Sequence, residues 1–290
     1  MTHNSRPGLA VSDVAKGGDG HGSGIGAYRV RLAGAKNEGP FGPFESALAA
    51  AMDQVGRANR YPQSGAPALR QELASHLGVG IERVVAGAGV TALIHHLSMA
   101  LLDPGTNIVT SGPSFSSYSS EARSRGATTK RALPRMDGGH DLEGTLGLIN
   151  DRTRVVYVDN PGNLTGGIVR RNELLRFVER VPTTVTMVVD ESYFEYVDSD
   201  QYPDTASEAE FHRKNLVTIR TFSHAYGLGG LRVAYLVGSR KSSELLRKCR
   251  ATTKCPTWPR LRQLRVCGIR TNSTGESAST DSGVPDLPQD

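Results

Sequence analysis

From about Leu32 onward, the apolar positions of the chain follow two alternating rhythms. Between Pro43 and Arg57 the apolar residues Ala47, Leu48, Ala51 and Val55 fall on one helical face. Between Gly65 and Leu77 the leucines Leu69, Leu73 and Leu77 recur every fourth position and predict a second helix. Short β-rich runs and helical stretches then take turns. Val84–Val85 leads through a turn into a helix over Ala92–Leu102. Ile108–Thr110 and Val155–Val158 read as strands, and Arg171–Arg180 as a helix. Val185–Val189, Leu216–Phe222 and Val233–Val237 read as further strands. Strands alternating with helices imply right-handed crossovers. The expected architecture is therefore three-layer α/β/α, with a mostly parallel sheet covered on both faces. Such sheets bind ligands beyond the carboxyl ends of their strands, so chemistry is to be sought there.

Outside this core the texture changes. Residues 1–28 are rich in Gly, Ser, Asp and His. The run Gly17–Gly26 follows no apolar strand, so it reads as a flexible arm rather than a phosphate loop. Residues 249–290 lack periodicity, start basic and end acidic, and are expected to be disordered. The intervening stretch, 29–248, is the expected folded domain. A chain of 290 residues is ample for such a core. The net charge of +5 is mild, and six of the basic residues are bunched between Arg250 and Arg270 rather than striped along a folded face. That pattern argues against nucleic-acid binding. No run reaches the ~18–20 apolar residues of a membrane span, and the N-terminus lacks the layout of a secretory signal. The three cysteines, Cys249, Cys255 and Cys267, are late, odd in number and without zinc-site spacing. No metal is expected, and a reducing cytoplasm is the simplest setting.

Several polar clusters sit at the predicted strand ends. Gly87-Ala-Gly-Val-Thr91 lies between a strand and a helix, where glycines allow close approach and free N–H groups can meet a phosphate. Phe115 follows the next strand and is placed either to stack on a flat ring or to join the core. Asp159-Asn160-Pro-Gly-Asn163-Leu-Thr-Gly166 sets two amides in a glycine turn. Asp190 ends an apolar strand, where a lone buried carboxylate is costly unless paired. A protonated pyridine nitrogen is one such partner. In Thr221-Phe-Ser223-His-Ala-Tyr-Gly-Leu-Gly-Gly-Leu-Arg232, a hydroxyl, a glycine-rich turn and an arginine can grip a phosphate.

This last block resembles the Ser-Lys-(Ala/Ser)-aromatic-Gly-Leu-(Ala/Gly)-Gly-Leu-Arg signature of fold-type-I, class I/II aminotransferases that use pyridoxal phosphate (PLP). Asn37-Glu-Gly-Pro-Phe-Gly-Pro43 and Arg60-Tyr61-Pro62 are similar to segments of the histidinol-phosphate aminotransferase branch. The resemblance runs from about Leu32 to Lys248. It implies PLP or its amine form, pyridoxamine phosphate, as cofactor, and an amino acid or related amine as substrate. By the resemblance, Asp190 pairs with the pyridine nitrogen, and Asn163 and Tyr193 hydrogen-bond the phenolic oxygen. Phe115 stacks on the ring. Val90, Thr91, Ser223 and Arg232 hold the phosphate. Tyr61 reaches the phosphate of a partner subunit, which implies a homodimer.

The chain departs from the family pattern in three places. His224 stands where the family keeps its Schiff-base lysine. Imidazole cannot hold the cofactor covalently, although it can act as a base. Lys214 and Lys241 are not at that strand end. Leu164 replaces a proline and Gly162 an asparagine in the Asn163 turn, so a cis bond there would impose strain. Nothing after Lys248 resembles the family's small domain, and the change of texture at Cys249 reads as a truncation or frameshift. Three functions stay open: an aminotransferase, a lysine-less enzyme using His224 as base in a dehydratase-like reaction, and an inactive remnant.

Overall fold

The computed structural model describes residues 36–39, 42–212 and 215–250. The arm expected at 1–28 and nearly all of the tail expected at 249–290 lie outside the described residues. Among the described residues, seven strands form one sheet: β1 (Val84–Gly87), β2 (Asn107–Ser111), β3 (Thr128–Ala132), β4 (Thr153–Asp159), β5 (Thr186–Asp190), β6 (Leu216–Thr221) and β7 (Ala234–Gly238). Their spatial order is β1-β7-β6-β5-β4-β2-β3. The β2, β3, β4, β5 and β6 pairings are parallel, and β7 runs antiparallel to both β6 and β1.

The described residues also form seven α-helices: α1 (Glu45–Val55), α2 (Pro67–Leu77), α3 (Val90–Leu101), α4 (Ser116–Ser124), α5 (Leu142–Gly147), α6 (Arg171–Arg180) and α7 (Arg240–Arg250). Successive strand residues face opposite sides, so the central strands are apolar throughout and feed two cores. Tyr157, Val188 and Ile219 pack with Leu93, Ile94 and Leu97 of α3 and Tyr118 of α4. Val158, Met187 and Val189 point the other way, onto Leu174 and Phe177 of α6. Each such fully buried side chain contributes about 1.5–3 kcal/mol of apolar burial. Among the described residues, no helix is long and apolar enough to cross a membrane.

The predicted helix over 43–57 forms, but it turns a different face inward. Ala47 and Ala50 are buried, whereas Leu48 and Val55, with Phe44 and Met52, are exposed. The alanine face lets the helix lie close to its neighbours, and the larger side chains occupy the opposite stripe. In α2, Leu73 and Leu77 are buried as the spacing predicts. The chain between β2 and β4 adds α4, β3 and α5, none of which the hydrophobic pattern predicts.

A buried ion cluster fastens the end of β5. Glu191 accepts from Arg220 Nε at 2.8 Å and Nη2 at 2.6 Å, and Arg220 Nη2 also donates to Asp204 at 2.7 Å. Thr205 donates its amide and hydroxyl hydrogens to the other Glu191 oxygen. The Arg220 guanidinium lies 3.6 Å above the Phe194 ring. This cluster fixes the backbone one residue beyond Asp190.

Candidate functional site

A cavity of about 600 Å³ opens at the carboxyl ends of the parallel strands, within the usual range for small-molecule sites. All of the sequence-predicted site residues line it except Tyr61. Tyr61 lies outside it and is 92% exposed.

The cavity floor is a pair of strand ends. Asp159 and Asp190 are register partners across β4 and β5, and both are buried. Asp190 has donors within the protein in addition to the ring nitrogen that the resemblance assigns to it. It accepts from Tyr118 Oη at 2.8 Å and from the Ser192 amide at 3.1 Å, with the Ser192 hydroxyl as a third donor. Burial pushes its carboxyl up to about 6. The Ser192 and Tyr118 hydrogen bonds pull in the opposite direction, and the charge of Asp159 adds to the rise. Tyr118 is itself held by stacking on Tyr157, with centroids 4.2 Å apart. Phe115 packs edge-on against Tyr118 at 5.7 Å.

Asp159 organises the neighbouring turn. Its Oδ2 accepts the Asn163 amide at 2.9 Å. His140 Nε2 sits 2.8 Å from the Asp159 carbonyl oxygen and 3.0 Å from its Oδ1. Only the carbonyl lies in line for a hydrogen bond, so the approach to Oδ1 is a contact and Oδ1 stays without a hydrogen-bond partner. The cis bond considered for the turn does not occur at Leu164; among the described residues, cis bonds precede Pro113 and Pro161. The aim of Asn163 is set by hydrogen bonds instead. Its side-chain oxygen accepts from Tyr193 Oη at 2.6 Å and from Asn37 Nδ2 at 3.2 Å, and Asn37 Nδ2 lies 2.7 Å from Tyr193 Oη.

The opposite wall is built for an anion. Helix α3 starts at Val90 behind Gly89, with no side-chain cap, so its first N–H groups are free for a ligand. Gly89 has φ +82°, and a methyl group there would lie 2.1 Å from Arg232 Nη2. The glycine therefore lets the guanidinium reach the helix terminus. Arg232 holds a left-handed backbone at φ 54° and donates to the Gly229 carbonyl at 2.9 Å. Thr221 Oγ1 and Ser223 Oγ lie 2.9 Å apart beside it. Two hydroxyls, free amides and a guanidinium match a phosphate dianion.

His224 joins the two walls. Its ring stacks on Tyr193 with centroids 4.5 Å apart. Its Nδ1 lies 3.0 Å from the Asn37 carbonyl oxygen. A carbonyl only accepts, so Nδ1 carries the hydrogen and Nε2 of the neutral ring holds the lone pair. Burial lowers the imidazole below its ordinary value; the Asn37 bond opposes this and the Arg232 charge adds to it.

Sequence reasoning missed Tyr118, Ser192 and Lys36 and gave Asp159, which opens the Asn163 turn cluster, no role of its own; all four support or line the site. Tyr118 follows Phe115 by three positions, the spacing of a shared helical face, and would have been found had α4 been recognised.

The aminotransferase class I and II sequence profile matches residues 34–257, past the Lys248 boundary read from the sequence. Histidinol-phosphate aminotransferase of Bacillus licheniformis is 40% identical over 216 residues, covering 74% of this chain and 60% of that protein. The Geobacillus thermodenitrificans enzyme of the same name is 42% identical over 205 residues, covering 71% and 56%. The crystal structure of histidinol-phosphate aminotransferase from Sinorhizobium meliloti in complex with pyridoxal-5′-phosphate superposes with a TM-score of 0.67. It is 29% identical, with 73% of this chain and 57% of that one covered. The chain thus spans little more than half the length of these relatives.

Proposed function

We propose that this chain, which belongs to the aminotransferase class I and II family, binds pyridoxal 5′-phosphate or pyridoxamine 5′-phosphate without a covalent bond to position 224 and acts on an amino acid or related amine. One observation carries the reading: a single cavity gathers a buried carboxylate, a phenol–amide pair, an aromatic face and an anion cradle. Bound there, the cofactor would supply an electron sink for charge developing on the substrate. Arg232, Ser223, Thr91 and the α3 amides would hold its phosphate. Asp190, kept in place by Tyr118 and Ser192, would hold the proton on the ring nitrogen. Asn163 and Tyr193 would take the phenolic oxygen, and Phe115 would cover the ring.

The position of His224 favours a variant of this chemistry that has no lysine at the strand end. A neutral imidazole with its lone pair on Nε2 can accept a proton from substrate near neutral pH, in a dehydratase-like step. Tyr61, exposed and outside the cavity, suits a role at the site of a second copy, so a homodimer is part of the proposal. A reducing, cytoplasmic setting fits the cysteine distribution.

Calorimetric titration of the purified chain with pyridoxamine phosphate tests the reading, because that form needs no lysine. Saturable binding of one equivalent, weakened at least tenfold by Arg232→Ala, is expected. No heat of binding, or binding indifferent to Arg232→Ala, refutes it and leaves the inactive remnant.

A further inference from the structure

Position 224 lacks an amine, yet an amine lines the same cavity. Among the described lining residues, Lys36 carries the only primary amine, and it comes from the segment before α1 rather than from a strand end. That segment is anchored at the vacated position. The carbonyl of Asn37, the next residue, takes the His224 Nδ1 hydrogen at 3.0 Å. The side chain of Asn37 bonds Tyr193 at 2.7 Å and Asn163 at 3.2 Å. A few residues on, the backbone of Gly42 lies against Gly227 of the turn that follows His224. A methyl group at Gly227, where φ is +64°, would fall 2.7 Å from the Gly42 carbonyl oxygen. Consecutive Cα atoms are about 3.8 Å apart, so Lys36 begins one residue from the hydrogen bond to His224. Its flexible four-carbon stem gives the ammonium a wide reach.

We infer that Lys36 is the attachment lysine of this chain, a substitute supplied from outside the strand-end motif for the amine that His224 cannot provide. The inference rests on the cofactor reading above and deepens it. The free amine of Lys36 adds to the cofactor's aldehyde carbon. A carbon–nitrogen double bond forms, the carbon–oxygen double bond breaks, and the oxygen leaves as water with both amine hydrogens. No oxidant or reductant is consumed. His224, neutral and held by Asn37, is then free to accept a proton while Lys36 carries the cofactor.

The test is borohydride trapping on the full chain with less than one equivalent of pyridoxal phosphate, followed by digestion and mass spectrometry. Reduction converts the double bond to a stable secondary amine. The expected result is a single cofactor mass on each labelled chain, located on the peptide bearing Lys36. It should be lost in both Lys36→Ala and Lys36→Arg, and suppressed at least fivefold by excess pyridoxamine phosphate occupying the cavity. Three results overturn the inference: trapping at another lysine, trapping at Lys36 that excess pyridoxamine phosphate does not suppress, and no trapping although pyridoxamine phosphate binds. If pyridoxamine phosphate does not bind either, the cofactor reading has failed and this inference with it.

Discussion

Replacing Tyr118 with Phe removes one donor from a buried carboxylate and leaves the ring stack on Tyr157 intact. The size of the effect follows from Asp190, which is 4% exposed and pushed up to about 6 from an ordinary value of 3.8. Between those two values the folded chain holds a proton that the unfolded chain has released. Stability therefore falls as pH rises through that window. Two pH units at about 1.4 kcal/mol each make that fall ~3 kcal/mol. The Tyr118 bond offsets part of it. To an ionised carboxylate the bond contributes about 1.5–3 kcal/mol, and to a neutral carboxyl about 0.5–1.5 kcal/mol. Tyr118→Phe should therefore cost roughly 1–1.5 kcal/mol more at pH 7.5 than at pH 4. Urea denaturation of both proteins at both pH values measures this as a double difference, in which groups unaffected by the substitution cancel. An equal cost at the two pH values would show that Tyr118 does not hold the charge of Asp190.

Three further outcomes follow from the same geometry. Gly89→Ala places a methyl against the Arg232 guanidinium at a backbone conformation costing about 1–3 kcal/mol for a non-glycine residue; calorimetry should show at least tenfold weaker pyridoxamine phosphate binding, and unchanged affinity would contradict the anion cradle. Arg220→Met strands fully buried Glu191 and should cost about 3–5 kcal/mol. The melting temperature should then fall by roughly 6–20 °C, with part of the loss recovered when Glu191→Met is added; a variant as stable as the parent would show that the cluster does not fasten β5. The His224 imidazole, followed by NMR, should titrate below its ordinary value of 6.5 and move upward in Arg232→Ala, because the arginine charge is one of the causes that lower it. A midpoint that ignores Arg232 would remove that coupling.

The sheet was legible because its central strands are buried on both faces and read as apolar runs, as in Val155–Val158 and Leu216–Phe222. The stretch between β2 and β4 was not. Helix α4 reads Ser-Ser-Tyr-Ser-Ser-Glu-Ala-Arg-Ser, whose serines have weak helix preference, and it buries only Tyr118, Ser119 and Ala122. Strand β3 is an edge strand in which Thr128 and Arg131 are exposed, Thr129 and Lys130 half-buried and only Ala132 buried, so no apolar run marks it. Helix α1 has two apolar faces, and periodicity cannot say which one the sheet will take. Cavity-lining residues at strand ends, such as Asp190 and Asn163, fell in polar clusters readable from position, while the roles expected of them came from the resemblance. Tyr118 and Lys36 became visible only once distant segments were brought together. The protein donors to Asp190 were not legible because they come from α4 and from the turn beyond β5.

The central claim is that the cofactor cavity is intact and lacks only an amine at position 224. Introducing His224→Lys in a Lys36→Ala background, adding pyridoxal phosphate and reducing with borohydride tests it most directly. One cofactor mass per chain at position 224 is expected. A protein that folds, yet shows no cofactor mass at that position, would contradict it.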